Sequence, residues 1–214
     1  MNSLNACLPE TISAHEDYNK KFFAGVAPFY DLLRFVFPPL RRKAASFLCA
    51  PRGSKIIDVA TGTGDQAAEF ARRRYSVTGV DLSGAMLERA RHRIKPGLKL
   101  EFTQANAACL PFGDNSFDGS SISLALHDMP REIEVQVLKE MRRVTRGRGE
   151  ILIVEYADLS KGIKSVLNSL IRLYESKYYR DFARRDLGKL LADAGLTIRR
   201  QKNIMGIFRA VVAG

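Results

Sequence analysis

Apolar residues in this chain follow two rhythms that take turns. Short β-branched or aliphatic runs occupy Lys55–Val59, Ser76–Val80, Lys99–Thr103, Phe117–Leu124 and Ile151–Glu155. Runs of that length between turn residues predict strands. In the intervals, apolar positions recur every three or four residues. Ala67, Ala68, Phe70 and Ala71 make one such stripe, Met86, Leu87 and Ala90 a second, and a third lies within Glu132–Val144. Those stripes predict helices with one buried face. Ser83 is placed to cap the second helix and Pro96-Gly97 to stop it. The helix over Glu132–Val144 should reach a turn around Gly147. Strands alternating with helices imply βαβ units, a parallel sheet and right-handed crossovers. The nearly unbroken apolar run Ile151–Glu155 belongs in the middle of such a sheet. Asp181–Ala194, ended by Gly195, predicts one more helix, and Leu196–Arg200 with Ile207–Val212 predict two closing antiparallel strands. The expected fold is α/β, a mixed, mostly parallel seven-stranded sheet with helices on both faces.

Two segments fall outside this alternation. Residues 1–50 read as an N-terminal helical cap: Tyr18, Phe22, Val26 and Phe29 recur at helical spacing, Pro38-Pro39 interrupts, and Leu40–Leu48 resumes. The remainder, 51–214, reads as one domain with a helical insert at about 158–180, in which Ile163, Val166, Leu167, Leu170, Ile171 and Tyr174 share a face. The cap reads equally as a lid over cofactor or substrate and as satellite core; the insert is expected to enclose the substrate or to form a dimer surface, so monomer and homodimer both stay open.

The chemistry concentrates after the first strand. Ile56–Ala67 reads I-I-D-V-A-T-G-T-G-D-Q-A, a strand, a tight turn and a helix start. Gly62 and Gly64 let bare backbone approach a ligand, and the helix that follows directs unpaired N–H groups toward it. The string satisfies the G-x-G-x-x-[GA] pattern of dinucleotide folds. Asp58 and Asp65, however, would repel a pyrophosphate, whereas they suit S-adenosylmethionine, which carries an ammonium and a sulfonium and no phosphate. S-adenosylmethionine is therefore the expected cofactor and S-adenosylhomocysteine its product. Asp81, at the end of strand 2, is positioned to accept both ribose hydroxyls. Leu82 and Met86 are expected against the adenine, Asn106 at the adenine edge, and Ala107 beside it. Ala60, Thr63 and Leu124 complete the expected donor-binding set. Methyl transfer needs in-line approach, exclusion of water and a placed nucleophile. His127, at the mouth after strand 4, is the expected general base, with Asp128 able to orient it; Tyr30 is a second catalytic candidate.

Composition narrows the partners. With 46% hydrophobic and 27% charged residues the chain has the make-up of a globular protein, and no run approaches the ~20 apolar residues a membrane span needs. The N-terminus lacks a basic start and an apolar core of the secretory type, and the three cysteines are widely spaced and read as reduced thiols; a cytoplasmic location is expected. Three scattered histidines give no metal site. The formal charge of +11 would allow contact with RNA or an anionic membrane surface. Yet the basic runs are spread over several helices without an aromatic-studded nucleic-acid motif, so a basic solvated surface is the default, peripheral membrane contact comes second, and nucleic acid last.

Several of these strings, taken in order, resemble a known family. Asp58-Val-Ala-Thr-Gly62-Thr-Gly64-Asp65, Val80-Asp81-Leu82-Ser83, Gln104-Ala-Asn106-Ala107 through Leu110-Pro111-Phe112, Ser116-Phe117-Asp118, and Arg142-Arg-Val-Thr followed by Gly147 to Glu155 look like class I S-adenosylmethionine-dependent methyltransferases of Rossmann-like fold. Tyr30-Asp31-Leu32 adds a likeness to the ubiquinone/menaquinone biosynthesis C-methyltransferase branch. The resemblance implies that Asp58, Gly62 and Gly64 hold the methionine moiety, Asp81 the ribose, and Asn106 the adenine. Ala125-Leu126-His127-Asp128 departs from the Gly-Leu-Arg-Asn-like segment of the quinone enzymes and looks like the Leu-His pattern of general small-molecule methyltransferases. A small, aromatic or lipophilic, quinol-like acceptor is expected; methylation of RNA or protein, or non-catalytic S-adenosylmethionine binding, are the alternatives.

Overall fold

The protein is described here from a computed structural model, over residues 38–157 and 178–214. Seven strands form one sheet in the order β3-β2-β1-β4-β5-β7-β6. They are β1 (Lys55–Val59), β2 (Ser76–Asp81), β3 (Leu100–Gln104), β4 (Phe117–Ser123), β5 (Thr145–Tyr156), β6 (Ile198–Ile204) and β7 (Phe208–Ala213). The first five are parallel, whereas β7 runs antiparallel to both β5 and β6. The strand order reverses between β1 and β4, which makes the crevice beyond their C-terminal ends the place for a ligand.

The helices are α1 (Pro38–Ala45), α2 (Asp65–Arg72), α3 (Gly84–Arg91), α4 (Arg131–Val144), α5 (Tyr179–Phe182) and α6 (Leu187–Asp193). Pro38 and Pro39 open α1, because a proline in the first turn gives up an N–H that the helix could not have paired. Ser83 caps α3 as its sequence suggests, accepting from the Met86 N–H at 3.3 Å. Two apolar layers clothe the sheet. One joins Ile57, Val59 and Ile122 to α4 and α6 through Val137, Leu138, Met141 and Leu190. The other joins Ile56, Leu152 and Val212 to α1 and α2 through Leu40, Ala44, Ala67 and Phe70.

The observed elements depart from the sequence pattern in three places. β5 starts at Thr145, directly after α4, where a turn around Gly147 was expected. Its pairing with β4 jumps from Phe117↔Thr145 to Gly119↔Glu150, so the glycine-containing stretch between is accommodated as a bulge inside the strand. Gly149 is required there, since a Cβ would lie 2.6 Å from the Asp118 carbonyl. The helix expected over Asp181–Ala194 is broken into α5 and α6, because Asp186 turns back to accept the Gly188 N–H at 2.7 Å and caps a new start. Finally, β6 continues to Ile204 through Gln201-Lys202-Asn203, polar residues that a sheet edge tolerates and that discourage pairing with another chain. Of the cysteines, Cys49 is a free, exposed thiol but Cys109 is disulfide-bonded, which corrects the reading of all three as reduced; spacing in sequence says nothing about which thiols a fold brings together.

Candidate functional site

The crevice is assembled by the turns that leave β1, β2, β3, β4 and β5. At β1, Asp58 is 1% exposed. The Thr61 hydroxyl donates to its Oδ2 at 2.6 Å. Burial pushes the Asp58 carboxyl up to about 6, opposed by Thr61 and by the positive charge of Arg41. Ser121 pairs in register with Asp58 on the adjacent strand, and its hydroxyl acts with Thr61 to lower the carboxyl. A buried carboxylate held by neutral hydroxyls leaves room for a positive group to complete it.

After β1 the chain turns through three left-handed residues, Ala60 (φ 51°), Gly62 (φ 55°) and Gly64 (φ 76°), before α2. The two loop glycines do different work. A Cβ on Gly62 would meet nothing within 4 Å, so its turn faces open space. A Cβ on Gly64 (φ 76°) would lie 2.6 Å from the Phe102 ring and 3.0 Å from the Ala90 methyl. Gly64 is thus needed for packing of α2 against β3 and α3, whereas the Gly62 turn has open space beside it. Asp65, expected to help attract a cation, instead forms an ion pair with Arg93 at 2.7 Å in the first turn of α2.

Asp81 ends β2 and ties the loop to it. Its Oδ2 accepts the Gly62 N–H at 2.8 Å and its Oδ1 the Ser83 N–H at 2.9 Å. Burial raises its carboxyl above the ordinary range against the pull of those donors. Each carboxylate oxygen has a second lone pair, so two hydroxyls could still be accepted. At β3 the Asn106 Oδ1 accepts the Ala108 N–H at 2.8 Å, closing a turn that Cys109 N–H→Asn106 O (3.0 Å) continues. Arg143 of α4 braces the following excursion through the Leu110 and Phe112 carbonyls and Asp114. Ala60, Thr63, Leu82, Ala107 and Leu124 form a half-buried rim around these polar groups, whereas Met86 is 4% exposed and lies inside the fold.

The β4 and β5 ends carry a different constellation. Leu124 adopts φ 54°, a strained corner for a γ-branched residue, and Leu126–His127–Asp128 follow in a single 3₁₀ turn. His127 is 2% exposed; its Nδ1 lies 2.8 Å from Glu155 Oε2 and its Nε2 3.5 Å from Asp128 Oδ2. Tyr156, Tyr179 and Phe182 surround the imidazole at ring-centre distances of 5.1, 5.8 and 6.2 Å. Glu155, 1% exposed near the end of β5, was not singled out by the sequence because it closes an apolar run; its one signal is an acid directly after Ile151–Val154 in a central strand. Glu134 of α4 is fully buried, ion-paired to Arg185 at 2.6 Å, and pushed up to about 7 by burial. Tyr30, Tyr18 and residues 158–177 of the insert lie outside the described residues. Among the described residues no group of histidines, cysteines and acids is arranged to hold a metal.

With this geometry in view, the comparisons with known proteins agree on a class. A methyltransferase domain family matches residues 56–149. The chain is 35% identical over 156 residues to the ubiquinone/menaquinone biosynthesis C-methyltransferase UbiE of Bdellovibrio bacteriovorus, a match covering 69% of this chain and 66% of that protein. It is 33% identical to the demethylmenaquinone methyltransferase of Thermotoga maritima, covering 63% of this chain and 60% of that one. The chain thus spans a little under two thirds of the length of these relatives. Among solved structures, a chain of the complex between the Haloferax volcanii Trm112 methyltransferase activator and a methyltransferase superposes with a TM-score of 0.71 over 91% of this chain and 96% of its own, at 16% identity. That level of identity speaks for the fold. The chain belongs to the class I S-adenosylmethionine-dependent methyltransferases. Within them it resembles the ubiquinone/menaquinone biosynthesis C-methyltransferase branch.

Proposed function

We propose that this protein transfers a methyl group from S-adenosylmethionine to a small aromatic, quinol-like acceptor. The observation that carries the donor half is a buried carboxylate, Asp58, at a strand end whose Gly62 turn is open, with Asp81 at the end of the neighbouring strand. A bound ammonium would complete Asp58, directly or through water, and two ribose hydroxyls would complete Asp81. Leu82 and Ala107 supply apolar contact on the rim, and Asn106 shapes the backbone at the adenine edge. When bound, the donor supplies an activated methyl on a sulfonium, which leaves as the thioether of S-adenosylhomocysteine.

The chain's own contribution is placement and proton handling. His127 lies in the acceptor half, in a water-poor box of aromatic rings. There it is suited to take the proton from an acceptor hydroxyl, raising electron density at the ring carbon or oxygen that attacks the methyl. The relatives' names support a quinone-type acceptor. The basic charge is a weaker argument for RNA than its size suggests. Arg72, Arg93, Arg131, Arg143, Arg146, Arg185 and Arg200 all pair with acids of the fold. Turnover assays with S-adenosylmethionine against short-chain hydroquinones, free RNA and protein substrates test the reading. Methylation of the hydroquinone is expected, and methylation of RNA or protein alone would replace it.

A further inference from the structure

Glu155 makes contacts that a generic strand residue does not. Its Oε1 accepts two successive backbone N–H groups, Ala125 at 3.0 Å and Leu126 at 2.9 Å. Its Oε2 faces His127 Nδ1 at 2.8 Å. All three donors come from the segment that follows the left-handed residue Leu124, thirty residues away in sequence. A buried carboxylate that receives three donors is an acceptor only. The imidazole must therefore hold a proton on Nδ1, and in the neutral ring the basic lone pair sits on Nε2.

We propose that Glu155 is the positioning residue of the acceptor half. One carboxylate fixes the tautomer of His127 and, through its other oxygen, anchors the backbone corner from which His127 projects. Glu155 takes no proton in the reaction. It keeps the Nε2 lone pair as the one that receives a proton, and it stabilises the imidazolium that forms when Nε2 takes it. Asp128, which the sequence offered for this orienting role, sits at the opposite nitrogen: its Oδ2 lies 3.5 Å from Nε2, beyond ordinary hydrogen-bond length. The catalytic part of this inference rests on the reading of His127 as base, whereas the tautomer part does not.

The chain has only three histidines, so replacing His15 and His92 by Gln leaves His127 as the sole ¹⁵N-imidazole reporter in the full-length protein. At a pH above the ring's titration, the unliganded protein is expected to show a protonated-type signal at Nδ1 and an unprotonated-type signal at Nε2. In Glu155→Gln, the side-chain oxygen still accepts from Ala125 and Leu126, but the amide NH₂ now faces Nδ1 and the two signals should exchange. Turnover of a short-chain hydroquinone by Glu155→Gln should fall about 10²–10⁴-fold with the S-adenosylmethionine affinity held within about threefold, and the Glu155→Gln/His127→Gln double variant should be no slower than His127→Gln. A lone pair on Nδ1 in the parent protein overturns the proposal even if the variant fails to fold, and so does an unchanged tautomer in Glu155→Gln. A normal tautomer exchange with unaffected turnover of His127→Gln would leave Glu155 as an orienting group and remove His127 as base.

Discussion

The proposed donor half of the crevice and the proposed acceptor half are built on different principles. Around β1 and β2, polar groups are served mostly by neighbours in the same turn: Thr61 serves Asp58 and Ser83 serves Asp81, with Gly62 of the β1 turn joining Asp81 from the adjacent strand end. Around β4 and β5, they are served by residues about thirty positions apart, as with Glu155 and the 125–127 segment. The donor half holds its buried acid, Asp58, beneath a rim that is half open. The acceptor half is closed around its histidine by three aromatic rings. A common donor can be held by a local, loop-encoded site. Acceptor chemistry needs a tuned, dry side-chain network, and that takes long-range contacts.

The contrast breaks first at His127. Replacing it with Gln should lower kcat about 10²–10⁴-fold while donor affinity stays nearly unchanged, because general base catalysis is worth that much and the residue lies in the other half. A parallel loss of donor affinity would show that the halves are not separate. Next comes Asp81→Ala, which removes the side-chain acceptor of two backbone N–H groups along with the ribose partner. Donor affinity should fall roughly 10²-fold or more, about 3 kcal/mol, with a smaller effect on kcat at saturating donor.

Asp58 sharpens the comparison through pH. Its folded carboxyl is raised to about 6, above the unfolded value, so the native state binds the extra proton. The contribution of this group to stability is present at acid pH and is lost as pH rises through about 6, a drop on the order of 2–3 kcal/mol by pH 7. Asp58→Asn should therefore stabilise the unliganded protein near pH 7 and flatten that slope, measured by denaturant melts between pH 4 and 8, while weakening donor binding. Loss of stability in the variant would mean that Asp58 is satisfied by the fold itself. The smallest effects separate the glycines. Gly64→Ala should cost about 2–3 kcal/mol of stability from overpacking on Phe102 plus a disfavoured φ, whereas Gly62→Ala should cost about 1 kcal/mol and act mainly on donor affinity.

The two halves also differed in how much of them could be read in advance. β1 and β2 were legible because buried parallel strands leave apolar runs, and because a glycine turn between a strand and a helix has few other uses. Tertiary contacts give several of these residues a further role that the pattern did not show. The space beside Gly64 is taken by Phe102, which is distant in sequence, and Arg93 reaches Asp65. Met86 is buried, and Asn106 Oδ1 closes a turn. In the acceptor half His127 was legible by chemistry alone, as a histidine at a strand end. Its partner was not, since Glu155 closes an apolar run and gains its meaning from the adjacency of β4 and β5. The bulge inside β5 and the break between α5 and α6 were hidden for a related reason: glycine and aspartate mark turns in sequence, and only tertiary pairing decides whether a strand or helix runs through them.

The central claim is that the β1–β2 end is a site for a cationic methyl donor and not for a dinucleotide. Calorimetric titration of the full-length protein at pH 7 with S-adenosylmethionine and, separately, with NAD tests it directly. Binding of S-adenosylmethionine with a Kd on the order of micromolar, no measurable binding of NAD, and a loss of about 10²-fold in Asp81→Ala are expected. Tighter binding of NAD, or unchanged S-adenosylmethionine affinity in Asp81→Ala, would contradict the claim.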